Sequence, residues 1–162
     1  MKTKFTIKAF LPLILLIVIP TLFIKTVFLI FNDSYYDGTI FPKIFLPGIL
    51  ILSFLAIFFG EIKQKFISVE FTPHEIIMKR FMGLQTKSYK VSTIEGWKYS
   101  YISTRGGSYE YLYLYKDGQK VVKLSQFYHK NYDEVKYYVR TLFKNLGYEK
   151  FSYKDEFKEA FK

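Results

Sequence analysis

The chain has 162 residues, a formal net charge of +10, 21% aromatic residues and no cysteine. The missing cysteine excludes disulfide staples, thiol catalysis and Cys-ligated zinc or iron–sulfur centres. The apolar residues crowd into the first third of the chain, which leaves about 100 residues for one small water-soluble domain.

Lys2, Lys4 and Lys8 precede the first apolar run, in which only Lys25 is charged between Ala9 and Phe31. A second run, Ile44–Gly60, carries no charge. A hydrocarbon core about 30 Å thick needs roughly 20 apolar residues of helix. Residues 9–31 meet that length, and residues 41–60 meet it with Lys43 at the interface. The expectation is a transmembrane helical hairpin over residues 1–60. A cleaved signal peptide has a shorter apolar segment, about 7–15 residues, ending in a small-residue site. The first run is longer and leaves through Phe28–Phe31 into Asn32-Asp33, so it reads as a retained span. Pro20 lies mid-span and predicts a kink, and Pro12, Pro42 and Pro47 are tolerable where neighbouring helices re-satisfy the backbone. Lys25 lies near the outer end of its span, where a lysine stem can snorkel to the interface. Asn32-Asp33-Ser34 matches the N-glycosylation pattern but lies almost against the membrane.

The connector Asn32–Pro42 holds Asp33 and Asp37 and no Lys or Arg. Glu61, Lys63 and Lys65 follow the second run. Basic residues flanking short loops favour the cytoplasm. The expected topology is therefore a multi-pass protein of the inner or plasma membrane, both termini cytoplasmic and the Tyr35–Tyr36 loop outside. Glu61–Gln64 reads as a short linker.

From Lys65 the period changes to two. Residues 65–71, 75–81, 86–91, 92–104, 108–115 and 120–126 read as strands. Pro73 marks the first turn, and Arg105-Gly106-Gly107 supplies a turn that accepts positive φ. Asp117-Gly118 between alternating strands is a strong hairpin signal. Asn131 and Glu134 then have capping-box spacing, and Val135, Val139, Leu142 and Leu146 follow at helical spacing, with Tyr138 and Phe143 broadening the stripe. Gly147 is placed as the C-terminal cap. Residues 148–162 form a tail whose Phe151, Phe157 and Phe161 fit a frayed amphipathic helix. The fold class is α+β: two transmembrane helices, then an antiparallel β-barrel or sandwich over residues 61–147, capped by one α-helix.

The phrases ISVEFTPHEIIMKRF, YKVSTIEGWKY and YLYLYKDGQKVVKLSQ…NYDEVKYYV, behind a two-helix hairpin, resemble the bacterial pleckstrin-homology-like domains over roughly residues 65–147. The resemblance implies binding or scaffolding and no shared catalytic apparatus. In phosphoinositide-binding members the basic cluster surrounds the first hairpin. Here that turn is Thr72-Pro73-His74-Glu75, with Lys79-Arg80 at the far end of the next strand, so specific phosphoinositide binding is not expected.

No catalytic, metal or cofactor constellation is legible. His74 and His129 are far apart, lack neighbours at ligand spacing, and read as exposed loop residues. Gly106-Gly107 opens a strand, whereas phosphate cradles open helices. Asp133 and Glu134 are explained by helix capping. Tyr109, Tyr111, Tyr113 and Tyr115 line one face of a strand. With Trp97 they are candidates for a partner surface if exposed, or for cross-strand packing if covered. From Glu61 onward there are 19 basic and 12 acidic residues. Such a balance under an anionic leaflet favours the membrane, and no nucleic-acid motif accompanies it. Lys63, Lys65, Lys79 and Arg80 are the candidate headgroup contacts.

The leading expectation is a membrane-anchored, non-enzymatic module that binds a protein partner or self-associates. The alternative is an anionic-lipid-responsive module, and an enzyme is the least favoured reading.

Overall fold

A computed structural model describes residues 1–104 and 107–160. Two helices are long and apolar enough to cross a membrane, Ile7–Asn32 and Ile40–Lys65, each 26 residues. At 1.5 Å per residue each reaches about 39 Å. The first opens with a 3₁₀ turn, Ile7–Phe10, and continues as α1, Leu11–Asn32, with Pro20 inside it. A turn through Ser34–Tyr36 leads to α2, Ile40–Ala56, which packs against α1. Lys25 is exposed.

The expected linker at Glu61–Gln64 is not a linker. The helix runs on through a π-helical turn, Ile57–Ile62, and one more α-helical turn to Lys65. Strand β1 therefore starts at Ile67, not Lys65. Ile62, Phe66, Ala9 and Tyr128 bury together, with Phe5, Leu13, Leu16, Phe81 and Phe127 packed around them. Apolar side chains from both helices and from the β domain share this cluster, so the domain is packed onto the hairpin.

Among the described residues, seven strands form two sheets. The first has order β1-β2-β3, from Ile67–Phe71, Glu75–Arg80 and Gln85–Lys90. The second has order β6-β5-β4-β7, from Gln119–Ser125, Gly107–Lys116, Gly96–Thr104 and Asn145–Tyr148. The sheets do not close into a barrel. β4 starts at Gly96, because Val91–Thr93 form a 3₁₀ turn where strand was expected. Asp117 and Gly118 both have positive φ, 51° and 67°. That is the two-residue turn whose twist matches the flanking strands. Of the expected turn at 105–107, Arg105 and Gly106 lie outside the described residues, as does Phe161.

Helix α3, Tyr132–Leu142, lays Val135 and Val139 into a core with Ile67, Val69, Phe71, Ile76, Met78, Trp97, Leu112, Leu114, Val122 and Leu124. α3 ends four residues before Leu146, which instead belongs to β7. Gly147 is likewise a strand residue, with φ 97°, and not a helix cap. Tertiary pairing explains the difference. The Trp97 N–H donates to Lys144 O at 2.9 Å, and the Glu149 N–H donates to Tyr99 O at 2.8 Å. The exposed edge of β4 thus recruits this segment in parallel. The tail ends in helix α4, Tyr153–Ala160, which lies against the 57–65 turn region.

The N-terminal segment is an eighth extended piece. Lys2 bridges Glu70 and Phe5 bridges His129, both antiparallel. Asn131 holds this segment and does not cap α3 through its side chain, contrary to the capping-box reading. Its Oδ1 accepts from Lys4 N–H at 2.7 Å and its Nδ2 donates to Lys2 O at 2.9 Å. The residues before α1 and the domain after α2 therefore meet at one end of the hairpin.

Candidate anion-binding site

Between the edge strand β6 and the first sheet lies a cavity of about 620 Å³. Period-two alternation decides what faces it. Ile76 and Met78 point into the core, so Arg80 lies on that same face of β2 and Lys79 on the opposite one. Lys87 pairs with Met78 across the strands, and Ile67 pairs with Arg80. Ile67, Arg80 and Lys87 form the wall on the first sheet. Lys120, Val122 and Lys123 of β6 form the other wall, and Lys63 and Gln64 at the end of the second long helix form the floor.

Five basic residues, Lys63, Arg80, Lys87, Lys120 and Lys123, thus line one space, together with Gln64 and Gln119. Arg80 Nε is buried and has no hydrogen-bond partner. Lys87 is exposed, Lys63 and Arg80 are half-buried, and Lys120 is already paired with Glu149 at 2.6 Å. A guanidinium with ammonium groups around it suits phosphate or carboxylate oxygens.

Two of the four residues expected to meet headgroups, Lys63 and Arg80, line this cavity. Lys65 instead pairs with Glu61 at 2.7 Å, and Tyr128 Oη donates to the other Glu61 oxygen. Lys79 faces away.

The aromatic partner surface is not exposed. Trp97 lies in the main core at 3% exposure, and Tyr111, Tyr113 and Tyr115 are buried on the other face of the sheet, with Tyr109 half-buried. β5 is the second strand of four, with neighbours on both sides, and both of its faces are covered. Lysines from the flanking strands lie over the tyrosine rings: Lys98 over Tyr115 at 4.7 Å, Lys120 over Tyr113 at 4.4 Å, Lys123 over Tyr111 at 5.1 Å. The chain's own C-terminal segment completes the cover, with Phe151 stacked on Tyr111 at a centroid distance of 5.9 Å. Glu149 binds Lys120 at 2.6 Å and Lys98 at 3.6 Å, and accepts from Tyr115 Oη. Burial raises the Glu149 pKa, but these donors outweigh it and hold the carboxyl below its usual range.

His129 is also buried, at 2% exposure, whereas His74 is exposed as expected. Its Nε2 meets Ile67 O at 2.8 Å, and its Nδ1 lies 3.3 Å from the Ser125 N–H and 2.9 Å from Ser125 O. The ring is a brace between β1 and the segment after β6, stacked under Phe5 at 5.5 Å. A half-buried pair, Lys136 with Glu110 at 2.7 Å, fastens α3 to β5. No group of His, Asp and Glu able to hold a metal occurs among the described residues.

Sequence reading missed Lys87, Lys120 and Lys123 as site residues, and Glu149 beside them. Their gathering depends on which strand edges approach, and that is set by pairing between segments far apart in the chain. The usable signal was parity: Arg80 shares the face of Ile76 and Met78, which marks it as an inward-facing cation. The chain matches no protein-family profile, no curated protein and no solved structure.

Proposed function

We propose that this chain is a two-span membrane-anchored binding module whose β domain takes an anionic headgroup into the cavity beside the second span. The observation that carries the reading is that Lys63, Arg80, Lys87, Lys120 and Lys123 line one space. Lys63 is on the helical turn that ends the long second helix, so the floor of the cavity lies where the span leaves the hydrocarbon. Lys2, Lys4, Lys8 and Lys65 lie on the same end of the hairpin, which supports placing that end in the cytoplasm. Packing of both helices onto the domain holds the cavity at a fixed height over the headgroups. The antiparallel strands followed by an amphipathic helix support grouping the domain with the pleckstrin-homology-like modules. The open gap between sheets is its departure from the closed barrel of that expectation.

A protein partner docking on the tyrosine strand has less support, because the chain's own C-terminal segment and lysine stems cover that face.

The test uses the full chain in zwitterionic detergent, titrated with a short-chain phosphatidylglycerol or the matching phosphatidylcholine. Saturable binding of the anionic lipid alone is expected, weakening as salt rises. The double variant Arg80→Gln/Lys87→Gln should lose it. Equal binding of both lipids, or an unchanged double variant, would overturn the reading.

A further inference from the structure

The cavity wall is shared with a segment of the chain itself. Lys120 and Tyr115 line the cavity. Both are also gripped by Glu149, the ammonium at 2.6 Å and the phenol through its hydroxyl. From Glu149 the chain runs over the tyrosine face, where Phe151 stacks on Tyr111 and edges against Tyr153 at 5.0 Å. It then enters α4, which lies against the 57–65 region that supplies Lys63 to the cavity floor. The segment 149–160 therefore touches the cavity's surroundings at two ends, at Lys120 and beside Lys63.

We infer that residues 149–160 form an intramolecular strap that competes with the anion for the cavity wall, so that headgroup binding releases the strap and the docked strap weakens headgroup binding.

The inference rests on the headgroup reading above and specifies how that site is regulated. Its chemistry is direct competition. The Lys120 ammonium has three donors, and a carboxylate already holds it in contact geometry. An incoming phosphate must either share that cation or displace Glu149. Sharing would place two anions against one ammonium, and the repulsion falls on the strap. Glu149 cannot escape it by protonation near neutral pH, because its neighbours hold it ionised. The strap's other described holds are the Glu149 N–H donating to Tyr99 O at 2.8 Å, Lys98 at 3.6 Å from the Glu149 carboxylate, and α4 lying against the 57–65 region. β7 meets β4 through only two register pairs, Trp97 with Asn145 and Tyr99 with Tyr148, and Gly147 at φ 97° sits between them. Beyond Glu149 the described apolar anchor is Phe151, which is half-buried. Linkage requires the effect to be reciprocal: whatever the anion costs the strap, the strap costs the anion.

Two variants separate charge from packing. Glu149→Gln keeps the shape and removes the charge. Phe151→Ala loosens the strap without touching the cavity's cations. Lys150, Lys154 and Lys158 are exposed, so trypsin reports strap release directly. The full chain is placed in zwitterionic nanodiscs and titrated with short-chain phosphatidylglycerol, with sn-glycerol 3-phosphate as the soluble source of the same chemistry. The expected result is about 5-fold or greater tightening in both variants, and faster tryptic cleavage after Lys150 and Lys154 when wild type binds the anion. Response to the lipid alone assigns the ligand to the membrane, and response to both at equal concentration assigns it to solution. Anion binding that neither variant changes, with cleavage unaffected, would overturn the strap and leave the headgroup site standing. No binding by wild type or by either variant would overturn both.

Discussion

Asn131 Oδ1 accepts the backbone N–H of Lys4 at 2.7 Å, 127 positions away in the chain, while its Nδ2 donates to Lys2 O at 2.9 Å. This amide presents the donor–acceptor pair of a strand edge and adds the N-terminal segment to the domain. Asn131→Ala leaves those two backbone groups without their partners, and removing a buried partner costs about 1–3 kcal/mol. Asn131→Ser distinguishes this role from helix capping. Serine is an equal N-cap, but it is too short to reach residues 2 and 4. Both variants should lower the denaturant midpoint of the purified full chain similarly. Full recovery by serine would show that capping was the function.

Gly96 carries a packing constraint that a propensity reading passes over. A Cβ at this position would stand 2.4 Å from Lys144 O and 2.7 Å from Leu146 Cγ. The first atom is backbone and cannot swing away, so Gly96→Ala must push β7 off β4. The expected cost is about 1–3 kcal/mol, typical of overpacking. Amide exchange should accelerate at Trp97 and Glu149, whose N–H groups bond to Lys144 O and Tyr99 O across this seam. Unchanged protection at both amides would contradict the close approach.

Local patterns were legible wherever period and turn chemistry decide structure alone. Ile67, Val69 and Phe71 alternate inward as written, the Asp117-Gly118 turn closes its hairpin, and Val135 and Val139 face the core from α3. Two readings failed for one common reason: Asn131 spends its amide on a distant backbone, and Leu146 pairs with β4 in place of extending α3. Of the two readings open for the β5 tyrosines the covered one holds, and the cover is a segment some forty residues downstream. Each outcome depends on a partner remote in sequence, and no local propensity encodes that partner. The candidate site was half legible for the same reason. Lys63 follows from its place just past the second apolar run and Arg80 from its parity on β2, whereas Lys87, Lys120 and Lys123 join them only once the sheet edges have met.

His129 makes stability depend on pH. Burial lowers its pKa below the ordinary value, and the carbonyls of Ile67 and Ser125, which favour the protonated ring, do not outweigh it. The unfolded chain therefore binds a proton below about pH 6.5 that the folded chain resists. Stability should be flat in pH above that value and fall as the pH drops below it. Chemical denaturation of the full chain at pH 8 and pH 5.5 measures the slope. His129→Gln should flatten it between those two values, at some cost in absolute stability. A slope that survives the substitution would assign the proton to another group.

Membrane orientation is directly measurable because the chain has no native cysteine. Tyr35 is 81% exposed at the turn of the hairpin, and Gln119 is exposed on the domain. With the basic end cytoplasmic, Tyr35→Cys should react with an impermeant thiol reagent in intact cells. Gln119→Cys should react only after permeabilisation. The reverse pattern would put the domain outside and remove the cytoplasmic leaflet as its ligand source.

On the proposed headgroup reading, Arg80 sets ligand binding against stability. Its Nε is buried without a hydrogen-bond partner, on a wall that also bears Lys87. A buried donor without a hydrogen-bond partner is destabilising. Methionine keeps the apolar stem and removes that penalty. Arg80→Met should therefore raise the unfolding free energy of the full chain by about 1 kcal/mol in zwitterionic detergent. It should also weaken binding of short-chain phosphatidylglycerol by about tenfold, the equivalent of one lost charge-assisted contact. The two effects must appear together. A variant that loses stability and keeps its affinity would show that the guanidinium holds the fold and not the anion. One that gains stability with affinity intact would leave Lys63, Lys87, Lys120 and Lys123 as the sole cationic contacts.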